Sequence, residues 1–327
     1  MPLIPLRPLM EATIKYGFGQ GAFNVNAVAQ AKAAIEVHEM FRSPAILQGA
    51  DLANGFMGGR TDFMNATLED KKIGAKNIAD AVKKYGADSD IPIVLHLDHG
   101  RDFDSCVAAI EGGYTSVMID GSKHDFEENI ALTKQVTEYA HAHGVVVEAE
   151  LGKLAGVEDD IKVHARSATF TDPEEAAEFV ERTGVDSLAI AIGTSHGAFK
   201  FKPGQKPMLR FDILEEITKR LPNFPIVLHG ASSVSQEYVK IIQENGGNLA
   251  DAIGIPEDML RQAARSAVCK INIDSDLRLA MTAGVREVLW NNPAAFDPRE
   301  YLKVGRANVK SLVAHKITNV LGSDNKA

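Results

Sequence analysis

Three histidines stand at or just beyond the ends of short apolar runs, and they are the residues of this chain best suited to metal chemistry. They are His99 in PIVLHLDHG, His196 in LAIAIGTSHG and His229 in PIVLHG. Three neutral imidazoles can hold a divalent ion and leave one coordination position open for water or substrate. Imidazole suits Zn²⁺, and Co²⁺ or Mn²⁺ could replace it. Because the histidines are far apart in sequence, only a fold that gathers strand ends could bring them together.

Other polar side chains accompany the histidines at the predicted strand ends. Asp98 directly precedes His99, and a carboxylate beside a metal can transfer a proton to or from a substrate oxygen. The alternative role of Asp98 is to orient a ligating imidazole through its second ring nitrogen. The other members of the set are Asn24, Asn26, Asp120, Glu148, Glu150, Asn272, Asp274 and Ser275. Their accumulation at one end of the strands predicts an active site there.

Small residues surround two of the histidines. The segments are GTSHGAFK at 193–200 and HGASS at 229–233. Backbone N–H groups in such loops can approach an anion without obstruction by side chains, and Lys200 would add a positive charge. Glycine-rich loops are often only tight turns. Their junction with two candidate metal ligands favours a phosphate-binding role.

Eight apolar runs could supply the strands that position these residues. They span 21–25, 44–48, 92–97, 116–120, 145–151, 187–192, 225–229 and 268–274. Segments of helical period lie between or after them, at 27–42, 66–84, 125–143, 173–183 and 276–291. Strands that are apolar on both faces and alternate with helices are typical of parallel sheets. Eight such units predict an α/β fold, the (β/α)8 TIM barrel. A doubly wound sheet is the alternative, without a glycine-rich dinucleotide turn to support it.

Length and composition favour one domain. The chain has 327 residues, 45% of them hydrophobic and 24% charged, and no linker-like tract divides it. We therefore expect residues 1–327 to form a single (β/α)8 barrel domain with a C-terminal helical extension at about 298–321. Two connections, 49–65 and 246–256, are longer than a barrel requires. We expect them to be extended loops between a strand and its helix that contact the substrate.

Charge and cysteine content argue against several partners and compartments. A formal net charge of -9 disfavours nucleic acid and anionic membranes as partners. No apolar run approaches the length of a membrane helix. Pro2, Pro5 and Pro8 interrupt the N-terminal segment, which does not fit the apolar core of a signal peptide. Cys106 and Cys269 lie in no paired motif, so we expect both to be reduced and buried and the protein to be cytoplasmic.

Lys270 introduces a different possible chemistry. It shares one face of the last predicted strand with Asn272 and Asp274. If that face points into the barrel, a buried amine could form a Schiff base with a carbonyl substrate. The other interpretation is an interior ion pair with a barrel carboxylate. Both remain open from the residues alone.

Five motifs in this chain together resemble the class II, metal-dependent fructose-1,6-bisphosphate aldolases. They are HLDHG at 96–100, EAELGKLAGVEDD at 148–160, GTSHGAFK, HGASS and KINIDSDLR at 270–278. The resemblance runs from about Gly21 to Gly322 and includes FDPREYL near the end. It implies a lyase of glycolysis and gluconeogenesis that cleaves fructose 1,6-bisphosphate reversibly to dihydroxyacetone phosphate and glyceraldehyde 3-phosphate through a zinc-stabilised enediolate. It also implies a homodimer or homotetramer, with 298–321 as a candidate interface.

The resemblance assigns roles to individual residues. The catalytic zinc ligands match His99, His196 and His229, and an alternative metal site matches Glu150 and Asp120. Asp98 matches the residue that handles the proton on the C4 oxygen, and Glu158 matches the acid/base residue at the carbanion carbon. The matching substrate contacts, with Asn24 added from the strand ends, are Asn24, Gly197, Lys200, Gly230, Ser232, Asn272, Asp274, Ser275 and, for the distal phosphate, Arg278. A monovalent cation, Na⁺ or K⁺, is expected beside the phosphate loops.

One position departs from the family pattern and bears on the substrate. The family has a serine after the second strand, in a Q-x-S-x-G-A pattern, and this chain has Ala50 there, so a hydroxyl that contacts the substrate is missing. Tagatose bisphosphate or another ketose bisphosphate is therefore an alternative to the fructose ester. A non-catalytic sugar-phosphate-binding protein is an alternative of another class, and the intact ligand set argues against it.

Overall fold

Eight parallel strands close into a barrel in the computed structural model, which describes residues 3–158, 161–163, 169–197, 207–249 and 252–327. The barrel strands are β1 (Gln20–Asn24), β2 (Ala45–Ala50), β3 (Ile93–Gly100), β4 (Ser116–Ile119), β5 (Val146–Leu151), β8 (Ser187–Ile190), β10 (Ile226–Leu228) and β11 (Val268–Ile273). A small separate sheet contains β6 (Ala155–Glu158), β7 (Ile161–Val163) and β9 (Ser195–His196). Around the barrel the order is β1-β11-β10-β8-β5-β4-β3-β2. The predicted TIM barrel is confirmed, and each predicted strand is found with its ends shifted by no more than a few residues.

Helices surround the barrel, and most follow a strand directly. They are α1 (Arg7–Tyr16), α2 (Val28–Met40), α3 (Asp51–Met57), α4 (Leu68–Tyr85), α5 (Phe103–Gly112), α6 (Phe126–Ala142), α7 (Pro173–Thr183), α8 (Phe211–Arg220), α9 (Gln236–Glu244), α10 (Glu257–Ser266), α11 (Ser275–Asn291) and α12 (Pro298–His315). Local signals set several starts: Asp172 accepts hydrogen bonds from the amides of Glu174 and Glu175 in α7, and Asp297 accepts one from the amide of Arg299 in α12. After α12 the chain continues as a π-helical segment, Lys316–Leu321. In the described part of the chain, no helix combines the length and hydropathy needed to cross a membrane.

The predictions for the two long connections were partly wrong. Residues 49–65 include the end of β2, all of α3 and a 3-10 turn at Phe63–Asn65. Asp51 lies in the first turn of α3, where the helix dipole favours an acidic side chain. The segment 246–256 joins α9 to α10 and therefore lies between two helices, because a second helix precedes β11. Neither connection is a simple loop from a strand to its helix.

An N-terminal helix that sequence analysis missed closes one end of the barrel. Pro8 stands in the first turn of α1, where it starts a helix rather than interrupting one. Leu6, Leu9 and Met10 pack against inward-facing residues of the strands; these include Ala22, Ile46, Val94, Val146, Ala189, Val227 and Cys269. This apolar layer fills the amino end of the barrel. Polar chemistry is consequently concentrated at the opposite, carboxyl end.

Candidate active site and metal centre

An irregularity in β3 brings Asp98 and His99 to the same end of the barrel. Consecutive side chains of a regular strand point to opposite faces. The pairing of β3 with β4 shifts register between Leu97 and Gly100, and His99 has a positive φ of 47°. Such a backbone conformation costs roughly 1–3 kcal/mol for a residue other than glycine and is concentrated at functional sites. It allows both side chains to reach the same cluster.

His99, His196 and His229 come together although they lie at or just beyond the ends of three different strands, β3, β9 and β10. Their candidate ligand nitrogens all lie within 4.8 Å of one another. The ring centroids of His99 are 4.6 Å from those of His229 and 5.2 Å from those of His196. His229 is 1% exposed and His99 is 8% exposed, whereas His196 is partly exposed, so the cluster is open to solvent on the side of His196. The structure thus assembles the three-histidine group that the sequence predicted.

Hydrogen bonds define which nitrogen of His229 faces this cluster. Its Nε2 lies 2.7 Å from Oε1 of Glu148, and its Nδ1 lies 3.1 Å from the amide nitrogen of Asn272, which can only donate. Burial lowers the pKa of His229 even though the Glu148 bond raises it. The ring is therefore neutral, with the proton on Nε2 and the Nδ1 lone pair on the side that faces both the Asn272 amide and His99.

The donor set fits a cation. Nδ1 of His99 lies 3.1 Å from Oδ2 of Asp120, so a neutral His99 donates there and turns its Nε2 lone pair towards His229. That Nε2 is 2.9 Å from Nδ1 of His229. Two lone pairs face each other at this distance, and a shared divalent cation would stabilise them.

A second acidic group lies against the other side of His99. Oε2 of Glu150 is 3.9 Å from Nδ1 of His99, and His99, Asp120 and Glu150 form a second cluster of ligand atoms within 4.8 Å. Burial raises the pKa of Asp120, but hydrogen bonds from His99 and Ser122 lower it by more than burial raises it. The pKa therefore lies below its usual value, and the carboxylate is ionised. The group can orient His99 or offer a second position for a cation.

Lys270 takes part in an interior ion pair. Its Nζ is 3.0 Å from Oε2 of Glu148 and 2.7 Å from Oδ1 of Asn272, and the lysine is fully buried. Burial raises the pKa of Glu148, and the charge of Lys270 lowers it well below its usual value. Of the two interpretations that the sequence left open, the structure shows the ion pair. Lys270 thereby fixes two side chains that contact His229.

Asp98 lies beside the histidines with both oxygens held by amides. Oδ2 accepts a hydrogen bond of 2.8 Å from Asn24, and Oδ1 accepts one of 2.8 Å from Asn272. Gln48 in turn donates to Oδ1 of Asn24 over 2.6 Å. Oδ1 of Asp98 is 3.9 Å from nitrogens of both His99 and His229. Asp98 is 1% exposed, and its carboxylate is held in a fixed orientation beside the histidine cluster.

The two small-residue loops contact each other at the same end of the barrel. Ser195 N donates to Gly230 O over 3.3 Å, and Gly197 and Gly230 have φ values of 81° and 59°. A Cβ on Gly230 would lie 2.7 Å from the carbonyl carbon of Ser195, so only glycine fits. Ser232 is 4% exposed. Lys200 lies outside the described residues.

The segment with Glu158 runs next to a candidate ligand. Strand β6 pairs with β9 so that Gly156 is opposite His196. Glu158 is the last residue of β6 and pairs with Ile161 of β7. The backbone of Glu158 is therefore two residues from the partner of His196.

The C-terminal end of β11 carries a polar group beside a cavity. Asp274 accepts a 2.8 Å hydrogen bond from Asn26 and lies 2.5 Å from Nη2 of Arg278. Ser275 begins α11 directly after Asp274. A cavity of about 300 Å³ adjoins this group; its lining is Asn26, Leu52, Ala53, Phe56, Phe63 and Arg278. Asn26 and Arg278 thus form a polar edge on an otherwise apolar cavity.

Ala50 is placed where a substituent would influence Asp98. The two residues are partners in the β2–β3 register. The next residue, Asp51, points to a different set of partners: its Oδ2 is 2.6 Å from Nζ of Lys71 and 3.3 Å from Nε of Arg101. Its carboxylate therefore does not stand in for the missing hydroxyl.

Sequence analysis missed two supporting roles. It did not identify Gln48, and it named Glu148 only as a polar residue at a strand end. Both are polar residues inside otherwise apolar runs, AILQGA and VVVEAEL, which is a usable signal. What the sequence could not give is the partner across the barrel, because Glu148 and His229 are 81 residues apart.

The barrel, its histidine cluster and the adjoining carboxylate together define a barrel enzyme of the metal-dependent type. The sequence profile of the family described as fructose-bisphosphate aldolase class-II matches residues 5–326. The chain belongs to this family of lyases, whose class implies a divalent metal.

Individual relatives agree with the family assignment. A fructose-bisphosphate aldolase from Treponema pallidum is 49% identical, over 99% of this chain and 98% of that protein. One from Thermus caldophilus is 44% identical, over 95% of each chain. The crystal structure of the YdjI aldolase from Escherichia coli K12 superposes with a TM-score of 0.74 at 30% identity, covering 99% of both chains.

Proposed function

We propose that this protein cleaves fructose 1,6-bisphosphate reversibly to dihydroxyacetone phosphate and glyceraldehyde 3-phosphate, with Zn²⁺ held by His99, His196 and His229. The observation that carries the proposal is the convergence of three imidazole nitrogens within 4.8 Å at the open end of the barrel. A zinc ion bound there would act as a Lewis acid on the substrate carbonyl, which is worth several kcal/mol of transition-state stabilisation.

Asp98 is assigned the proton on the C4 hydroxyl. In cleavage its carboxylate takes that proton, the C3–C4 bond breaks, and C4 becomes the aldehyde carbon. The electron pair of the broken bond remains on C3 of the dihydroxyacetone phosphate fragment and is delocalised onto the oxygen of the C2 carbonyl group. Asn24 and Asn272 hold both oxygens of Asp98, so the base does not need to reorganise during the step.

The dihydroxyacetone phosphate fragment must then gain a proton at C3, and Glu158 is assigned this step. Its support is the resemblance and the pairing of its strand with the His196 segment. The phosphate of this fragment is assigned to the loops around Gly197, Gly230 and Ser232, with Lys200. The remaining assigned contacts are Asn272, Asp274 and Ser275, with Arg278 at the distal phosphate. Fixing both phosphates reduces the entropic part of the barrier.

Further assignments complete the proposal; those of the alternative metal position, the monovalent cation and the oligomeric state rest on the resemblance. Asp120 and Glu150 would provide an alternative metal position beside His99, which their shared cluster supports. A monovalent cation would bind near the phosphate loops. The protein would be a homodimer or homotetramer with its C-terminal helices at the interface. Residues 1–327 would form one barrel domain. A cytoplasmic location agrees with two buried, free cysteines, Cys106 and Cys269.

A coupled assay of the zinc-loaded protein on fructose and tagatose 1,6-bisphosphates tests the proposal. We expect faster cleavage of the fructose ester. Faster cleavage of the tagatose ester would reverse the substrate assignment, and cleavage of neither would favour a binding protein. The Ala50→Ser variant, measured in parallel, tests whether a hydroxyl next to Asp98 changes the ratio of the two rates.

A further inference from the structure

A buried lysine near the C-terminus lies behind one of the loops assigned to phosphate. Lys316 is the first residue of the π-helical segment and is fully buried. Its Nζ lies 2.7 Å from Oε1 of Glu257, 3.1 Å from Oδ2 of Asp276 and 2.5 Å from Oγ of Ser233. Ser233 ends the HGASS segment. The lysine therefore joins the C-terminal segment to that loop.

Asp276 connects Lys316 to the backbone of the loop. Its Oδ2 accepts a 2.9 Å hydrogen bond from Ser233 N, and its Oδ1 accepts one of 3.1 Å from Ser235 N. Val234, between them, has a positive φ of 54°. A β-branched residue rarely adopts this conformation without outside support. The two amides held by one carboxylate provide that support.

The charge of Lys316 keeps Asp276 able to hold both amides. Burial raises the pKa of Asp276, but Lys316 and the amides of Ser233 and Ser235 lower it below its ordinary value. Without the lysine, this fully buried carboxylate would lie near Glu257 with no cation between them. Protonation would then relieve the repulsion but convert one acceptor oxygen into a donor.

We propose that Lys316 is a positioning residue for substrate phosphate: acting through Asp276 and Ser233, it fixes the loop Gly230–Ser235. The proposal rests on the assignment of Gly230 and Ser232 to phosphate in the proposed function. Asp276 also lies in the first turn of α11, between Asp274 and Arg278. One buried network therefore sets the relative positions of the loop and of the end of β11, where the other assigned contacts lie.

The test compares Lys316→Met with the parent enzyme, both full length and zinc-loaded. We expect KM for fructose 1,6-bisphosphate to rise about tenfold, equal to about 1.4 kcal/mol, while kcat and zinc content change little. Inorganic phosphate, titrated calorimetrically, should bind more weakly by a similar factor. His315→Ala is the matched control, because it removes another side chain that contacts Glu257, at 2.7 Å, while the contacts of Lys316 and Ser233 with Glu257 remain. It should leave KM unchanged.

Two outcomes would overturn the proposal. One is equal phosphate binding by folded Lys316→Met and the parent; the other is a loss confined to kcat. If Lys316→Met does not fold, Ser233→Ala decides, since it removes the hydroxyl that joins the loop to Lys316, Asp276 and Glu257 but keeps the backbone amide. Unchanged phosphate affinity in Ser233→Ala would contradict the proposal. Absence of cleavage by the parent enzyme would instead reject the proposed function, and phosphate titration would still judge the role of Lys316.

Discussion

The Nε2 atom of His229 lies 2.7 Å from Oε1 of Glu148, and this contact leaves Nδ1 as the ring nitrogen available to a metal. Glu148 is itself fully buried and paired with Lys270. A carboxylate that accepts the second N–H of a ligating histidine fixes its tautomer and raises its basicity. The chain Lys270–Glu148–His229 thus connects the barrel interior to the histidine cluster.

Glu148→Gln should weaken zinc binding by about 10–100-fold, because an amide can present its N–H₂ to His229 and no longer enforces the tautomer. Competition against a chromophoric chelator measures the affinity. Glu128→Gln, at an exposed position on α6, is the matched control and should bind zinc like the parent. Unchanged affinity in Glu148→Gln would show that the contact does not orient His229.

Asp98→Ala should lower kcat by about 10²–10⁴-fold while zinc content is retained, because the variant removes the assigned base but none of the three histidines. Steady-state kinetics and metal analysis on the same sample check this. A kcat within a few fold of the parent would mean that Asp98 only supports its neighbours. Parallel loss of zinc would assign it to metal binding instead.

Lys270→Met should lower the free energy of unfolding by about 3–5 kcal/mol, since it leaves Glu148 buried without its cation. Urea denaturation gives the value, and Lys76→Met, which breaks an exposed pair with Asp80, should change it by less than about 1 kcal/mol.

Borohydride treatment with substrate should leave the mass of the parent chain unchanged. A trapped adduct on Lys270 would favour Schiff-base chemistry.

Much of the fold could be read from the sequence because local rules specify it. Runs such as PIVLHL are largely apolar on both faces, which is typical of a parallel strand covered on both sides. The missed helix α1 depends on tertiary packing, because Leu6, Leu9 and Met10 are stabilised by the floor of the barrel. The second helix before β11, α10, was also missed, although Glu257 and Asp258 in its first turn and Arg265 in its last turn are local helix signals.

The site was predictable in its residue types but not in its connections. His99, His196 and His229 are recognisable because each stands where an apolar run ends. The shift of register at His99, which turns it to the same side as Asp98, depends on pairing with β4. Contacts such as Lys316 to Asp276 join segments far apart in sequence, and no spacing rule reports them.

Stability should fall in mild acid because of His38. Burial lowers its pKa to about 4, and its Nδ1 lies 2.8 Å from Ala34 O. The pKa of His38 in the unfolded chain is about 6.5, so between pH 6.5 and about pH 4 the unfolded chain binds one more proton than the folded one. The free energy of unfolding therefore falls by up to about 3 kcal/mol as the pH drops through this range. Urea titrations at pH 7 and 5 should show a smaller difference for His38→Gln than for the parent. His143→Gln, at an exposed position, should retain the parental difference; equal differences in all three proteins would exclude His38 as the cause.

Zinc content and cleavage of fructose 1,6-bisphosphate, measured together on the parent and on His99→Ala, test the central claim most directly. The parent should hold about one equivalent of zinc at the histidine cluster, lose activity with a chelator and regain it with Zn²⁺. His99→Ala should lose both zinc and activity while remaining folded. A His99→Ala protein that is free of metal and fully active would contradict the account.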